Sequence, residues 1–589
     1  MTCLPQQCSV KRESFQDRLT TFGPGLFGLW LSGLILAGCA PFGEKLSAPD
    51  LPQPAAPVTV VESPLVKSGE RCSGVFVPHA LDHVTTTPGG ETVREFEANG
   101  GGVAINDLDN DGDLDLVLAN HDQPNSIFWN KGHLNFQVKR LPDGDSRGVN
   151  IVDVDGDGWL DVVFTRRVSV LDYWRNLGQE DGDAPSGESG GHFTRQFKRE
   201  ALPGGPRYAY AMNWGDLDGD GDLDLVTGSY NASLLLDLGQ SFLIGGGGGV
   251  FYNEQQGGRF SSTLLATEAQ ALTLELFDLN ADGRLDILVG NDFALPDQAW
   301  LRSGDEWVKA APFAATSHST MSFDWGDLNN DGRWELFSTD MKPYDRRPQT
   351  LAAWQPLLAE MMDEAHPPGD PQIMANVLQV PTDRGSFRNE AARWGIEASG
   401  WSWSSKFGDL NNDGFLDLYV VNGMIEQKMF SHLPEHELVE QNQAFRNTGQ
   451  GRFAPALEWG LSSTLSGRGM SMADLDEDGD LDIVINNLRG PAYLFENQLC
   501  QGASLPVDLF WPDSRNTRAL GARLILRTAR GNYYRYVRAA SGYLSGDPAR
   551  VHFGFPVDAG LQALEVYWPD GLVSIIEGLS PDTRLTVTR

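Results

Sequence analysis

The chain has 589 residues, with 45 Lys and Arg against 80 Asp and Glu, a formal charge of −35. A polyanion of that strength excludes a nucleic-acid partner, since phosphate binding needs a basic surface. With 41% hydrophobic and 10% aromatic residues the chain has the material for a packed core, and its 66 Gly and 33 Pro promise many turns.

At the amino terminus Lys11, Arg12 and Arg18 precede an apolar run, Leu26 to Leu36, too short to span a bilayer comfortably. It reads as the core of a signal peptide. Leu36-Ala37-Gly38-Cys39 resembles the bacterial lipobox, which makes residues 1–39 a lipoprotein signal with Cys39 as the lipidated residue; an ordinary cleaved signal peptide is the alternative. Residues 40–70 are rich in Pro and Ala without apolar periodicity, as in a flexible tether. Cys3 and Cys8 leave with the signal, so Cys72 and Cys500 are the candidate disulfide of an oxidising compartment, two unpaired thiols being the other reading.

Between those two cysteines, over residues 71–500, a nine-residue pattern, D-x-[DN]-x-D-G-x-x-[DE], recurs seven times. Its copies begin at Asp107, Asp153, Asp216, Asp278, Asp327, Asp409 and Asp474, at intervals of 46, 63, 62, 49, 82 and 65 residues. Those intervals suit one four-stranded sheet each, hence a seven-bladed β-propeller in an all-β chain. Short apolar stretches such as Gly102 to Ile105 precede the loops, and β-rich runs such as Leu116 to Leu118 follow them, predicting strand, loop, strand. Further along, Asn followed by Gly turns and Phe, as in Asn253 to Phe260 and Asn447 to Phe453, predicts a second hairpin per blade.

Side-chain oxygens at positions 1, 3 and 5 of a tight loop can converge on one hard cation, Gly at position 6 permits the turn, and position 9 closes the shell. The ligand sets so predicted are Asp107, Asp109, Asp111 and Asp115; Asp153, Asp155, Asp157 and Asp161; Asp216, Asp218, Asp220 and Asp224; Asp278, Asn280, Asp282 and Asp286; Asp327, Asn329, Asp331 and Glu335; Asp409, Asn411, Asp413 and Asp417; and Asp474, Asp476, Asp478 and Asp482. An EF-hand would place its bidentate Glu at position 12 between helices, whereas these loops close at 9 and run into strands. Of the 80 acidic residues, 29 lie in these seven windows, a density that counter-ions would relieve. The expected ion is Ca²⁺, at up to seven sites, with the Glu335 loop the weakest.

These loops resemble the FG-GAP/VCBS repeats of integrin α-chain propellers and bacterial surface proteins. Residues 506–589 contain Gly521-Ala-Arg523, Ser541-Gly-Tyr-Leu-Ser545, Val551-His-Phe-Gly554 and Val566-Tyr-Trp-Pro-Asp-Gly571, similar in that order to the ASPIC/UnbV domain of the cartilage acidic protein family. The resemblance implies a calcium-binding propeller followed by a small β-rich module, in a family associated with adhesion and matrix contacts. Alternating apolar runs from Arg523 to Pro569 independently predict a small all-β module.

Insertions offer the first guide to a ligand. The 82-residue interval holds an amphipathic pattern, Thr350 to Ala365, within an expected helical insertion at about 341–380; it reads as a cap on the propeller or a binding element. Trp214, Trp325 and Trp403 precede their Asp loops at similar offsets and read as blade core. Catalytic candidates are thin: His121 with Asp122 follows a first-blade strand, and His432 to His436 fits a zinc-protease string interrupted by Pro434. The sequence therefore reads as an exported, membrane-anchored, calcium-stabilised scaffold, periplasmic or at the cell surface, that binds a surface protein or glycan. The alternative is a polysaccharide lyase or glycosidase with its catalytic groups near the central channel.

Overall fold

The computed structural model describes residues 55–66, 72–90, 92–178, 197–363, 369–383 and 385–589, with the side chains of 360–363 set aside. The signal segment, Cys39 and residues 40–54 lie outside the described residues. The chain is all-β, with 46% strand and 8% helix.

Each Asp loop is the turn between the first two strands of an antiparallel sheet. In sheet 1 the strands are Val103–Asn106, Asp115–Leu118, Asn125–Asn130 and Phe136–Leu141, paired in that order. Six further sheets repeat the plan, and their first strands are buried throughout, polar residues included. The first strand of each sheet touches those of its neighbours, and the seventh touches the first, closing a ring. The outermost strand of sheet 7 comes from before sheet 1: Phe76–Val84 pairs with Pro491–Asn497. This closure joins the two ends of the array, and the Cys72–Cys500 disulfide, with Cα atoms 5.6 Å apart, stands beside it.

Trp214, Trp325 and Trp403 are buried, but not within the blades alone: Trp214 shares a core with the C-terminal segment, Trp325 lies 5.1 Å from Tyr536 and Trp403 lies 5.1 Å from Tyr543. The helix predicted near residue 350 spans Pro348–Asp363. It lies on the propeller through Trp354, fully buried, whose Nε1 donates to Glu440 at 3.0 Å and whose ring lies 5.9 Å from that of Trp401.

The segment after residue 500, with one strand from near residue 60, forms two four-stranded sheets that share an apolar core. One runs Thr59–Pro64, Thr583–Thr588, Ala503–Phe510 and Val551–Phe555; the other runs Gly531–Tyr536, Arg523–Thr528, Leu561–Tyr567 and Val573–Glu577. The expected tether is thus corrected in part: Thr59–Pro64 is an edge strand in register with Thr583–Thr588. Its small and β-branched residues satisfy a sheet edge that the C-terminal segment alone leaves open. Nor is the module a separate body, because Trp214 and Leu225 of the propeller share one apolar core with Leu505, Leu524 and Phe553.

Candidate metal centres and the module that covers them

All seven Asp loops have one internal geometry. The position 1 carboxylate accepts the N–H of the position 6 glycine at 2.7–3.1 Å, from Asp107 with Gly112 to Asp474 with Gly479. The position 9 carboxylate accepts the N–H of position 2 at 2.9–3.1 Å. In six loops its other oxygen takes a backbone N–H of the third strand at 2.7–2.9 Å, from Asn130, Asn176, Gln255, Arg302, Asn447 or Asn497. Position 9 is therefore a staple between loop and blade, a role the ligand pattern did not reveal.

A second role was also hidden in the sequence. The amides of Asn130, Asn176, Asn447 and Asn497 each donate to the position 2 carbonyl of the preceding blade's loop, at Leu475, Leu108, Leu328 and Leu410, all at 2.8 Å. The recurrent Asn before a Gly turn was the visible signal. Its function is to clip neighbouring blades together.

The carboxylates converge in four loops. Asp107, Asp109 and Asp115; Asp153, Asp155 and Asp161; Asp216, Asp218 and Asp220; and Asp474, Asp476 and Asp482 each bring one oxygen per residue within 4.8 Å of one another. Asp107 Oδ1 and Asp155 Oδ1 are buried without a hydrogen-bond partner, a vacancy in bonding that suits a cation. Loops 4, 5 and 6 differ. There the position 3 amide nitrogen donates to a loop carboxylate: Asn280 to Asp282 at 3.1 Å, Asn329 to Glu335 at 3.2 Å and Asn411 to Asp413 at 3.0 Å. Basic side chains reach other loops, Lys131 to Asp109 at 3.4 Å and Arg175 to Asp155 at 2.5 Å.

Burial dominates the titration of these groups. It pushes Asp409 and Asp474 up to about 7, and Asp161, Asp224 and Glu335 up to about 8, with neighbouring carboxylates adding to the rise. A bound cation would favour the ionised forms that burial opposes.

The C-terminal module sits on these loops. Thr517 Oγ1 donates to Asp153 at 2.5 Å, Arg550 and Arg584 donate to the Gly112 carbonyl at 2.8 and 2.9 Å, and His552 bonds the Gly479 carbonyl at 3.1 Å. At loop 6 the fit is tight: a Cβ on Gly414 would meet the Tyr533 ring at 2.6 Å. A row of arginines on the module thus meets the acidic turns.

From the module, residues Ala540–Gly546 enter the propeller axis and bond the first strand of every sheet. Ser545 Oγ accepts from Val103 at 3.3 Å and Met470 at 3.2 Å, and Leu544 O accepts from Val149 at 3.2 Å. Asn213 donates to Ala540 O at 3.2 Å, Thr273 donates to Gly542 O at 2.8 Å, Gly542 N–H donates to Phe323 O at 2.7 Å, and Tyr543 N–H donates to Ser404 at 3.2 Å. On either side of this segment in the chain, Arg538 pairs with Asp324 at 2.7 Å and with Asp547 at 2.9 Å, and Asp547 pairs with Lys406.

Models of two protein families match the chain. One described as ASPIC and UnbV matches residues 512–589, and one described as FG-GAP-like repeat matches residues 107–164, 278–338 and 438–485. The chain carries FG-GAP-like repeats and a C-terminal UnbV domain. Cartilage acidic protein 1 of Xenopus tropicalis is 29% identical over 171 residues, 25% of this chain and 26% of that protein, so the chain matches about a quarter of the relative's length. Among solved structures, BBS1N in complex with ARL6DN aligns at 10% identity and a TM-score of 0.39, covering 72% of this chain and 97% of that one. Rhamnogalacturonan lyase PL11 of Bacillus licheniformis aligns at 12% and 0.34, covering 72% and 76%.

The remaining sequence candidates fall in different places. His121 does join a polar cluster at the axis, with Arg147, Tyr210, Arg468 and Tyr543, all nearly or fully buried. The cluster is closed on the UnbV side by Tyr543. On the other side the backbone of Ala98 and Asn99 accepts from Arg468 at 2.7 Å and from Arg147 at 2.8 Å. Burial holds His121 well below its ordinary range. His432 bonds the Ala353 carbonyl at 2.9 Å, and among the described residues the acidic and His clusters able to hold a metal ion all lie in the Asp loops.

Proposed function

We propose that this chain is a calcium-rigidified recognition scaffold whose binding surface is the propeller face opposite the UnbV domain. The observation that carries the reading is the segment Ala540–Gly546 on the propeller axis, bonded to all seven first strands, with the UnbV domain over the Asp-loop face. In an antiparallel blade the second-to-third strand connections leave the opposite face. Those connections hold helices at Asn231–Leu238 and Gln240–Gly245 and the helix at Pro348–Asp363. They also expose Val170, Leu243, Ile244, Phe293, Met429 and Val439, with Ile244 85% accessible. These exposed apolar side chains on the blade connections are the surface to which the reading assigns recognition.

Calcium belongs to this reading as the structural ion. The residues fit it: four carboxylate triads, two orphaned buried oxygens and hard oxygen donors throughout. When bound, the ion would neutralise loop carboxylates that lie against the UnbV domain, so loop rigidity and domain docking support each other. Extracellular modules bind calcium with Kd of about 10⁻⁴ to 10⁻³ M, which fits an exported protein. Export and a lipid anchor at Cys39 complete the proposal. Among the described residues no helix is long and apolar enough to cross a membrane.

A lyase or glycosidase using the axis is the weaker reading, because the polar cluster there is closed on both sides. The test is an array of glycans and matrix proteins probed with the calcium-loaded chain and with a Leu243→Asp, Ile244→Asp variant. Specific binding that the variant loses supports the surface; binding the variant retains places recognition elsewhere. Palmitate labelling that disappears in Cys39→Ala tests the anchor separately.

A further inference from the structure

The Cys72–Cys500 disulfide stands against loop 7, and residues 497–500 grip three consecutive positions of that loop. The Asn497 N–H donates to the position 9 carboxylate of Asp482 at 2.8 Å, and its side-chain amide donates to the position 8 carbonyl of Leu481 at 3.1 Å. Cys500 takes position 7, where its backbone N–H donates to Asp480 Oδ2 at 3.1 Å. Asn130, Asn176 and Asn447 hold positions 8 and 9 of loops 1, 2 and 6 in the same way, so the bond from Cys500 is what the disulfide residue adds.

Asp480 Oδ1 accepts from Asn412 of loop 6 at 2.7 Å, so this side chain is held from two sides. In the EF-hand the residue at position 7 supplies its backbone carbonyl to the ion. An anchored Asp480 side chain fixes the main chain at the corresponding place. The three carboxylates that converge in this loop, Asp474, Asp476 and Asp482, are all buried.

Cys500 has φ +52°, in the left-handed region that a residue with a β-carbon occupies only where its surroundings impose it. The bridge is part of what imposes it. Just after Cys72, Gly74 N–H donates to Gln498 O at 2.9 Å, and Gln498 N–H donates to Val75 O at 3.3 Å. Farther upstream, Val66 N–H donates to Glu477 O, position 4 of the same loop, at 3.1 Å. Both cysteines are themselves exposed, so a soluble dithiol can reach the bond that holds a buried site together.

We propose that the disulfide is a redox lock on the loop 7 metal site: closed, it holds Asp480 and with it the calcium-binding form of the loop; open, it lets the site loosen. The lock rests on the reading of the Asp loops as calcium sites. Opening is a thiol–disulfide exchange, in which a dithiol gives two electrons and two protons to the S–S bond, leaves Cys72 and Cys500 as thiols, and is itself oxidised to a disulfide. Released from the bridge, Cys500 leaves the left-handed conformation and withdraws its N–H from Asp480. The coupling is reciprocal, so the factor that reduction removes from calcium affinity at loop 7 is the factor by which calcium protects the bridge from reduction. The chain thus binds calcium weakly at this loop among cytosolic thiols and tightly in an oxidising compartment.

Native mass spectrometry of the full chain at rising calcium, before and after dithiothreitol, tests this. Reduction is expected to weaken one ion by about fivefold or more and to leave the others in place, and calcium is expected to shift the dithiothreitol midpoint of the Cys72–Cys500 bridge by the matching factor. Asp476→Ala identifies the ion: the oxidised variant is expected to lack one, and reduction to remove no other. Asp480→Ala keeps the bridge but cuts its link to the loop, so its calcium binding is expected to be the same in both redox states. The unaltered chain decides the matter even where a variant fails to fold. Calcium held equally by the oxidised and reduced chain overturns the lock and leaves the calcium reading standing, whereas no calcium held by either overturns both. Loss of several ions together on reduction, or a redox effect that Asp480→Ala retains, overturns the assignment by placing the effect in the closure of the ring.

Discussion

The hydroxyl of Tyr543 accepts a 2.8 Å hydrogen bond from the backbone N–H of Gly100, 443 residues earlier in the chain. Through it the tip of the UnbV domain, having passed along the propeller axis, meets the segment that leads into the first blade. The same ring lies 5.1 Å from Trp403 of the sixth sheet. A family motif with no evident task in the sequence is thus the axle of the array.

Tyr543→Phe leaves the Gly100 N–H buried without an acceptor and should cost about 1–3 kcal/mol. Tyr543→Ala also empties a fully buried aromatic site and should cost about 3–5 kcal/mol. Urea unfolding of both variants measures this. Two variants equal in stability to the parent would mean that the axial contact adds nothing.

Gly100 itself admits no side chain. Its φ is +121°, and a Cβ would lie 2.7 Å from both Arg147 Cδ and His121 Nε2. Gly100→Ala should therefore destabilise by at least about 1–3 kcal/mol. A thermal melt within error of the parent would refute the packing described.

Calcium titration should resolve two classes of site. Loops 1, 2, 3 and 7, with carboxylate triads, are expected to fill before loops 4, 5 and 6, where an Asn amide already faces a carboxylate. Native mass spectrometry counts the ions, and Asp109→Ala should remove one from the tighter class. Seven equivalent ions, or an unchanged count in that variant, would contradict this order.

Without metal, stability should fall as pH rises. Asp161, Asp224 and Glu335 titrate near 8 and Asp409 and Asp474 near 7 in the folded chain, against about 4 when unfolded. The folded state therefore holds more protons than the unfolded one between about pH 4 and 8, so each step upward in that window favours unfolding. Urea midpoints in chelator at pH 5.5 and 8.5 should show the loss, and saturating calcium should remove most of it. A flat profile in chelator would mean that these carboxylates are solvated.

The Cys72–Cys500 bond closes a loop of 428 residues beside the strand that completes sheet 7. Replacing both cysteines by Ser should cost about 2–5 kcal/mol. Matching melting curves for the double variant and the parent under non-reducing conditions would show the closure to be held by strand pairing alone.

What the amino-acid sequence determined by itself was local or periodic. Asp107 to Asp115 and its six relatives show themselves as turns between paired strands because the carboxylates, turn glycine and flanking strands lie within a dozen residues, and strand pairing between neighbours in the chain follows from apolar runs on either side. The helix near Trp354 was legible for the same reason, its pattern needing only one turn's spacing. Tertiary structure decided everything that joins distant segments. Thr59–Pro64 read as tether because an edge strand completes a sheet whose other strands lie some 440 residues or more away. The third-strand Asn residues read as turn formers because their amide acceptors belong to another blade. The stapling role of position 9, which stands beside its place in three of the carboxylate triads, was not legible because its backbone donors on the third strand reach it only after the blade has folded. The axial path of Tyr543 follows from packing two bodies together, and no spacing along one chain encodes which groups will meet there.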